Sequence, residues 1–202
     1  MLITFEGVEG SGKTTQMRRL ERWLRARGHR VERTREPDGT PLGVAVRGLF
    51  EKRPQPLAEL FLFIAARHQH VAEKIRPWLA AGRVVLSDRY ADATVAYQGY
   101  GRGLDLEMIR ELNVRATGGV FPDLTLLFDL EPAIGFRRLG GRRRDHFERQ
   151  APAFHRRVRR GYLELLRAEP KRVRLVDASR PVDDVARQVR EIVSEHLPGD
   201  RQ

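Results

Sequence analysis

Short apolar runs and longer amphipathic stretches alternate along the chain. The apolar runs are too short for helices and are bounded by glycine or charged residues, which predicts buried β-strands. They lie at residues 2–5, 84–86, 124–128 and 173–176, and a further short strand, less apolar than these, is predicted at residues 30–34. The amphipathic stretches repeat apolar positions every three or four residues, which predicts helices with one buried face. These lie at residues 16–27, 42–50, 57–81 and 183–196.

The alternation of strand and helix predicts an α/β fold with a parallel sheet covered by helices on both faces. Ligands in such sheets bind at the carboxyl ends of the strands. At 202 residues the chain fits one domain, residues 1–202. One stretch departs in composition: residues 137–149 are rich in arginine and contain Gly140 and Gly141. We interpret that stretch as a short basic lid.

The segment after the first apolar run is a complete phosphate-binding loop. It predicts a P-loop NTPase fold, with five parallel strands and helices in three layers. Glycines let the backbone N–H groups turn toward phosphate oxygens, and the following helix directs its positive dipole end to the same anion. We predict that Lys13 reaches the β- and γ-phosphates of ATP and that the Thr14 hydroxyl is a ligand of Mg²⁺. The predicted nucleotide-binding residues are Gly7, Val8, Glu9, Gly10, Ser11, Gly12, Lys13, Thr14 and Thr15.

Composition narrows the class of protein. The 41% apolar and 32% charged residues are typical of a globular protein, and no apolar stretch is long enough to cross a bilayer. The absence of cysteine excludes disulfides and thiolate catalysis and agrees with a cytoplasmic location. The formal charge of +11 predicts an anionic partner, which could be nucleic acid, a membrane surface or a phosphorylated small molecule. The spacing of the six histidines does not favour metal binding.

Further motifs lie near the predicted strand ends, and together they resemble the bacterial type of thymidylate kinase, within the P-loop nucleoside monophosphate kinases. The resemblance covers nearly the whole chain. Its most specific parts are residues 88–90 (Asp-Arg-Tyr) and 96–99 (Ala-Tyr-Gln-Gly). The other matching segments are residues 6–15, 34–37, 63–67, 101–103, 122–125 and 161–163.

The resemblance implies transfer of the γ-phosphoryl group of ATP to dTMP, with Mg²⁺ as cofactor. Because the acceptor phosphate is already a nucleophile, the reaction needs cations and exclusion of water rather than a general base. The resemblance assigns Asp88 to the metal together with Thr14, and Arg89 to the phosphates. It makes Lys13, Arg89 and Glu9 catalytic, the last near the 3′-hydroxyl and the metal. It also implies a homodimer and dTMP as the small-molecule partner, with no nucleic acid and no membrane.

The acceptor site is assigned by the same resemblance. Phe63 would stack on thymine, with Arg67 one helical turn later as a donor to thymine O4. Thr94 and Gln98 would meet N3 and its neighbours, while the Tyr97 ring would crowd the 2′ position and disfavour ribonucleotides. The resemblance also assigns Arg47 to the dTMP phosphate. Glu36 completes the substrate-binding residues.

Two positions depart from the family pattern. The pattern Glu-Pro-Gly-Gly-Thr has Asp38 at its first glycine, and an aspartate tolerates positive φ better than most residues. In the lid, the pattern Asp-Arg-x-Glu has His146 in place of arginine. The phosphate loop carries no extra cation, so the lid should supply it. Arg143 is our candidate, with three others left open: Arg142, Arg144 and Arg149. Protonated His146 is the alternative.

Two other functions remain open at this point. A P-loop kinase for another nucleoside monophosphate or a deoxynucleoside would keep the phosphate loop, Asp88 and Arg89, but would not need Arg47 and Arg67 with Tyr97. A P-loop ATPase dependent on nucleic acid would use the net positive charge. The chain lacks the interleaved aromatic and basic pattern of such a surface, and this favours the small-molecule kinase.

Overall fold

The strands form one parallel sheet. The computed structural model of the chain describes residues 1–141 and 145–197. Within these ranges the sheet has the order β2-β3-β1-β4-β5, and all neighbours are parallel. The strands are β1 (Leu2–Glu6), β2 (Val31–Arg35), β3 (Val84–Asp88), β4 (Leu124–Asp129) and β5 (Val173–Asp177). The predicted five-stranded parallel sheet is confirmed.

Each strand continues beyond its predicted range at the carboxyl end. Glu6, Asp88 and Asp129 are the last residues of β1, β3 and β4. Ladder hydrogen bonds involve only the backbone, so a strand does not need an apolar side chain at its last position. These polar ends all lie at the edge of the sheet where ligands bind in this class of fold.

Helices connect the strands. They are α1 (Lys13–Arg25), α2 (Pro41–Leu49), α3 (Pro56–His70), α4 (Arg76–Ala80), α5 (Ala91–Thr94), α6 (Leu106–Thr117), α7 (Pro132–Leu139), α8 (Pro152–Ala168) and α9 (Val182–Ser194). The long helix predicted at residues 57–81 is present as α3, a π-helical turn at Val71–Ile75, and α4. The wider turn comes just before Pro77, which has no N–H for the helical ladder.

The apolar pattern alone did not reveal α6, α7 and α8. The ends of α6 nevertheless carry ordinary signals. The side chain of Asp105 accepts a hydrogen bond from the Met108 N–H at 2.6 Å, and Gly118 ends the helix with φ 55°. A second π-helical turn, Val95–Gly101, follows α5 directly. None of the helices in the described ranges is long and apolar enough to cross a membrane.

The core lies on both faces of the sheet. Alternate residues of β1 point to opposite sides and all are buried. Ile3 and Phe5 pack with the apolar faces of α1 and α9, whereas Leu2 packs on the other side with Val71 and Ile75. The helices α6 and α8, with the second π-helical turn, cover the rest of that other side. The three-layer arrangement predicted from the sequence is therefore confirmed.

The strand order decides which loops meet. β1 lies between β3 and β4, with Phe5 opposite Asp88 and Ile3 opposite Leu124. The phosphate loop that follows β1 is therefore beside the Asp88–Arg89 pair that follows β3. Sequence distance between these segments is large, and only the parallel pairing brings them together.

Candidate active site

The phosphate loop joins β1 to α1. Gly7, Gly10 and Gly12 have φ values of 133°, 73° and 88°, in the region that favours glycine. At Gly10 a Cβ atom would lie 2.2 Å from the Gly135 carbonyl oxygen, so the loop also passes too close to α7 for a side chain. The Lys13 ammonium lies within the loop and donates to the carbonyl oxygens of Gly7 at 3.0 Å and Val8 at 2.9 Å.

Thr14 and Asp88 form an oxygen pair at the mouth of this loop. The Thr14 hydroxyl donates to Asp88 Oδ2 at 2.9 Å. Mg²⁺ is usually held by one or two protein oxygens together with substrate phosphates and water. The Thr14 hydroxyl and the Asp88 carboxylate fit a Mg²⁺ site of this kind. Among the residues that the structure describes, no cluster of three histidine or carboxylate side chains offers a cage made by the protein alone.

Arg89 lies at the centre of the site. Its backbone has φ 72°, a left-handed conformation that is uncommon outside glycine and costs on the order of 1 kcal/mol or more. Its carbonyl oxygen accepts a 2.7 Å hydrogen bond from the Ser87 hydroxyl. The side chain donates to Glu9 Oε1 at 2.8 Å, to Tyr97 Oη at 2.9 Å and to Tyr162 Oη at 3.2 Å. The guanidinium is thus held over the phosphate loop by three partners.

Charges around Glu9 stabilise its ionised form. Burial opposes ionisation, but the charges of Arg89 and Lys13 outweigh it and lower the pKa of Glu9. Tyr97 also donates to Glu9 Oε1. His155 on α8 lies behind the carboxylate, with Nδ1 3.7 Å from Oε2. Burial acts to lower the pKa of Arg89, yet Tyr97, Tyr162 and Glu9 raise it well above its usual range. Arg89 is therefore a permanent cation.

Two groups at the base of the site titrate near neutral pH. Burial first, and the Arg89 charge next, lower the pKa of Lys13 to about 8. Burial first, and Asp92 next, raise the pKa of Glu6 to about 8. Glu6 accepts hydrogen bonds of 2.7 Å from the Tyr90 N–H and from the Tyr162 hydroxyl. Glu6 is therefore linked to Arg89 through Tyr162.

A single cavity of about 630 Å³ joins the phosphate loop to an aromatic pocket. Its volume is that of a small-molecule site. Most of the predicted site residues line it. These are Glu9, Gly10, Gly12, Lys13, Thr14, Thr15, Glu36, Arg47, Phe63, Arg67, Asp88, Arg89, Thr94, Tyr97 and Gln98. Gly7, Val8 and Ser11 shape the loop from below; Val8 packs in the core and accepts a hydrogen bond from the Ser11 hydroxyl.

The far end of the cavity is aromatic. Phe63 is partly buried and stacks on Phe50, with ring centroids 4.6 Å apart. Phe147, from the lid, packs against both rings and lies edge-on to Tyr97 at 5.8 Å. Phe63 therefore belongs to a small core cluster and also presents a face to the cavity. The sequence motifs did not point to Phe50 or Phe147.

Arg67 is buried, and its N–H donors are used within the protein. Nε and one terminal nitrogen both donate to Glu36 Oε2, at 2.9 and 2.6 Å. The remaining donors contact Thr94 Oγ1, Asn113 Oδ1 and the Tyr90 carbonyl oxygen. The Arg67 charge lowers the pKa of Glu36, although burial opposes it. A hydrogen bond from Arg67 to a base would thus have to share or replace one of these contacts.

The Arg47 side chain, on α2, is about half exposed. Its terminal nitrogens lie 3.6 Å from Asp38 Oδ1 and 3.6 Å from Asp145 Oδ2, so the side chain lies between the loop before α2 and the lid. Asp38 does not adopt positive φ, so the tolerance of aspartate for that conformation is not needed here. Outside glycine, only Arg53 and Arg89 have positive φ among the described residues.

The predicted lid, residues 137–149, is described on either side of residues 142–144. Its first residues, Arg137 and Arg138, belong to the last turn of α7. Our candidate Arg143 lies outside the described residues, as do Arg142 and Arg144. Arg149 pairs with Glu51 at 2.8 Å.

His146 is buried, and its Nε2 lies 3.1 Å from Glu59 Oε2. That nitrogen is therefore directed at a carboxylate of α3, which argues against His146 as the cation for the phosphates.

A P-loop and an oxygen pair at one end of a cavity, an aromatic pocket at the other, and a fixed arginine between them define a phosphotransferase of the P-loop kinase class. The family model described as thymidylate kinase matches residues 5–189. The chain belongs to the thymidylate kinase family.

Relatives and a solved structure agree with the family. The chain is 50% identical to a thymidylate kinase of Desulfovibrio desulfuricans over 209 residues, covering 98% of this chain and 96% of that protein. It is 49% identical to one of Deinococcus radiodurans, covering 96% and 97%. The crystal structure of thymidylate kinase from Ehrlichia chaffeensis is similar with a TM-score of 0.79 and 34% identity, covering 96% of this chain and 97% of that chain.

Proposed function

We infer that this chain transfers the γ-phosphoryl group of ATP to the 5′-phosphate of dTMP, giving ADP and dTDP. The observation that carries the inference is the single cavity in which the phosphate loop and the aromatic pocket face each other across Arg89. This arrangement suits two phosphorylated substrates brought together end to end. The family membership agrees with it.

The donor half binds ATP. The backbone N–H groups of the phosphate loop and the start of α1 would surround the β-phosphate, with Lys13 bridging to the γ-phosphate. Thr15 follows on the first turn of α1 and would contact the α-phosphate. Mg²⁺, held by the Thr14 hydroxyl and by Asp88 through water, would neutralise the charge on the transferred group.

The transfer step depends on positioned cations. The acceptor phosphate attacks in line, and no side chain has to remove a proton from it. Arg89 would bind oxygens of both phosphates, because its guanidinium is fixed by Glu9, Tyr97 and Tyr162 before any substrate arrives. Such preorganised charge is worth more in a dry site than in water.

The acceptor half recognises thymidine. Phe63 would stack on the base, and Gln98 and Thr94 would meet its polar edge, supported by the buried Arg67–Glu36 pair. The Tyr97 ring, fixed through its hydroxyl to Glu9 and Arg89, would occupy the space of a 2′-hydroxyl.

Phosphate contacts complete the proposed site. Arg47, which lines the same cavity, would hold the dTMP phosphate. Arg143 remains our candidate for the cation that the lid adds to the transferred group.

A panel of monophosphates tests the proposal. Initial rates of ADP formation are measured with dTMP, dUMP, dCMP, dGMP and UMP, and with a single-stranded oligonucleotide in place of the acceptor. We expect the largest kcat/KM with dTMP and no stimulation by the oligonucleotide. A higher kcat/KM with another monophosphate would assign the chain to a different acceptor. Stimulation by the oligonucleotide would favour a P-loop ATPase that depends on nucleic acid.

We also propose that the protein is a homodimer in the cytoplasm. The support is the exposed apolar side chains on two helices that pack together: Leu57 and Phe61 of α3 and Val114 of α6 are each 43–50% exposed. Exposed apolar surface of this kind marks an interaction site when it is contiguous. Light scattering should give twice the chain mass, and Phe61→Glu should give the monomer. A wild-type protein that is monomeric at micromolar concentration would exclude the dimer.

A further inference from the structure

Glu59 of α3 is a carboxylate buried completely at the border between the base pocket and the lid. Its Oε1 accepts from Gln98 at 2.9 Å and from Arg102 Nε at 3.1 Å. Its Oε2 accepts from Arg102 at 2.8 Å and contacts His146 Nε2 at 3.1 Å. A buried charge is tolerated only when it is paired and hydrogen-bonded on both oxygens. The three partners come from the base pocket, from the loop after it and from the lid.

The lid turn is built to direct His146 inward. Asp145 Oδ1 accepts from the N–H groups of Phe147 at 3.0 Å and Glu148 at 2.9 Å, and Glu148 Oε2 accepts from the Asp145 N–H at 3.0 Å. This reciprocal pattern is a capping box, and it fixes the turn that carries His146 and Phe147. The Asp and Glu of this lid motif therefore shape the backbone, while the two residues between them point inward, His146 to Glu59 and Phe147 to the aromatic cluster.

His146 Nε2 lies 3.1 Å from both Glu59 Oε2 and an Arg102 nitrogen. With a hydrogen on Nε2, His146 donates to Glu59; with a lone pair there, it accepts from Arg102, which itself donates to Glu59. In either tautomer His146 is held to the Glu59 carboxylate. Arg102 also donates to Gln150 Oε1 at 2.9 Å, which fixes the lid turn at a second point.

We propose that Glu59 is a positioning residue that couples the nucleobase pocket to the lid through His146. Gln98 and His146 each contact a different oxygen of one carboxylate, with Arg102 shared between the oxygens. A base that fixes Gln98 also fixes Glu59, and the lid turn then has a rigid acceptor. Occupancy by the acceptor nucleotide thus stabilises the turn at residues 145–150 against Glu59, and this inference rests on dTMP being that nucleotide.

Hydrogen–deuterium exchange tests the coupling directly. Exchange is followed in the peptide that contains residues 145–150, with and without saturating dTMP, in wild type, Glu59→Gln, His146→Ala and His146→Arg. We expect dTMP to slow exchange there about tenfold in wild type. Glu59→Gln and His146→Ala should lose most of that protection, and His146→Arg should keep it because arginine restores a donor to Glu59.

Kinetics and stability separate positioning from a purely structural role. His146→Ala should lower kcat/KM for dTMP about tenfold, His146→Arg should recover it to within about threefold, and the double variant Glu59→Gln, His146→Ala should be no worse than the more affected single variant. His196→Ala, on the C-terminal turn, is the matched control and should behave as wild type.

The outcomes are distinguishable. If calorimetry detects no dTMP binding to wild type, the proposed acceptor is wrong. If dTMP binds and reacts but leaves exchange at residues 145–150 unchanged, or protects wild type and His146→Ala equally, the coupling is refuted. A lower melting temperature with intact dTMP protection would likewise leave only a structural role for His146 and overturn the proposal.

Discussion

Binding of ATP should weaken as the pH rises above about 8, because Lys13 then loses its charge. Burial of the Lys13 ammonium, with the charge of Arg89 added, lowers its pKa from 10.5 to about 8. A bound triphosphate favours the charged form and raises that pKa. ATP affinity is therefore constant well below pH 8 and falls between the pKa of the free enzyme and that of the complex.

The size of the loss in ATP affinity follows from the lowered pKa of Lys13. Above the free-enzyme pKa, affinity falls by up to about tenfold per pH unit, so the dissociation constant at pH 9.5 should be about thirtyfold that at pH 7. This corresponds to about 2 kcal/mol of binding free energy. The phosphate groups of ATP are already ionised over most of this range and add little to the slope.

The contribution of Glu6 to this pH dependence has to be separated from that of Lys13, because burial raises the pKa of Glu6 to about 8 as well. Its ionisation beneath the loop would also disfavour a polyanion. Glu6→Gln removes that charge, and ATP affinity should still fall with pH almost as steeply as in wild type. The midpoint of the fall should move to lower pH, because a negative neighbour that raises the pKa of Lys13 is gone. The double variant Lys13→Met, Glu6→Gln should bind ATP weakly and show no slope.

Calorimetry with Mg²⁺ and a non-hydrolysable ATP analogue, at constant ionic strength from pH 7 to 9.5, measures the effect. Near-ultraviolet circular dichroism at each pH checks that the fold is intact. An affinity constant within twofold over this range would refute the assigned pKa of Lys13. A slope in the double variant equal to that of wild type would place the titrating group elsewhere.

Three further changes test other parts of the site. Arg89→Ala should lower kcat about 100-fold or more through loss of a preorganised cation, and near-normal turnover would contradict its central role. Tyr97→Ala should raise kcat/KM for the ribonucleotide relative to dTMP, and an unchanged ratio would exclude steric selection at the 2′ position. Gly43→Ala should destabilise the fold by several kcal/mol in urea unfolding, because its Cβ would lie 1.7 Å from the Pro37 carbonyl oxygen; wild-type stability would show that α2 can shift freely.

The local sequence determined the elements whose physics is local. The phosphate loop could be predicted because glycine spacing, Lys13 and Thr14 follow a short apolar strand, and each of these signals acts within a few residues. Strands β1, β3 and β4 were predicted because strands buried on both faces of a parallel sheet need nearly continuous apolar runs. Strands β2 and β5, at the two edges of the sheet, carry charged residues among their apolar ones. Helices α6, α7 and α8 were not predicted. Helix α7 is only eight residues long and begins with proline, so its sequence resembles a loop, whereas the apolar residues of α8 lie among many arginines.

The resemblance supplied pocket residues, but their partners depended on the tertiary structure. Phe63 was predicted to face the base, yet its stacking on Phe50 and Phe147 requires α2, α3 and the lid to meet. Arg67 was predicted as a donor, but its five N–H groups are used by acceptors up to 46 residues away in the chain. No sequence spacing encodes such contacts, because they depend on helix packing rather than on periodicity.

The lid shows most clearly the difference between what the sequence determines and what the fold decides. The sequence marked His146 as a departure from the family pattern and left it as a possible cation for the phosphates. The tertiary structure directs it instead to Glu59, which lies 87 residues earlier in the chain. A side chain's type limits what it can donate or accept, and that is legible in the sequence. Which acceptor it meets is decided by the fold, since only packing brings α3, the base pocket and the lid turn around one buried carboxylate.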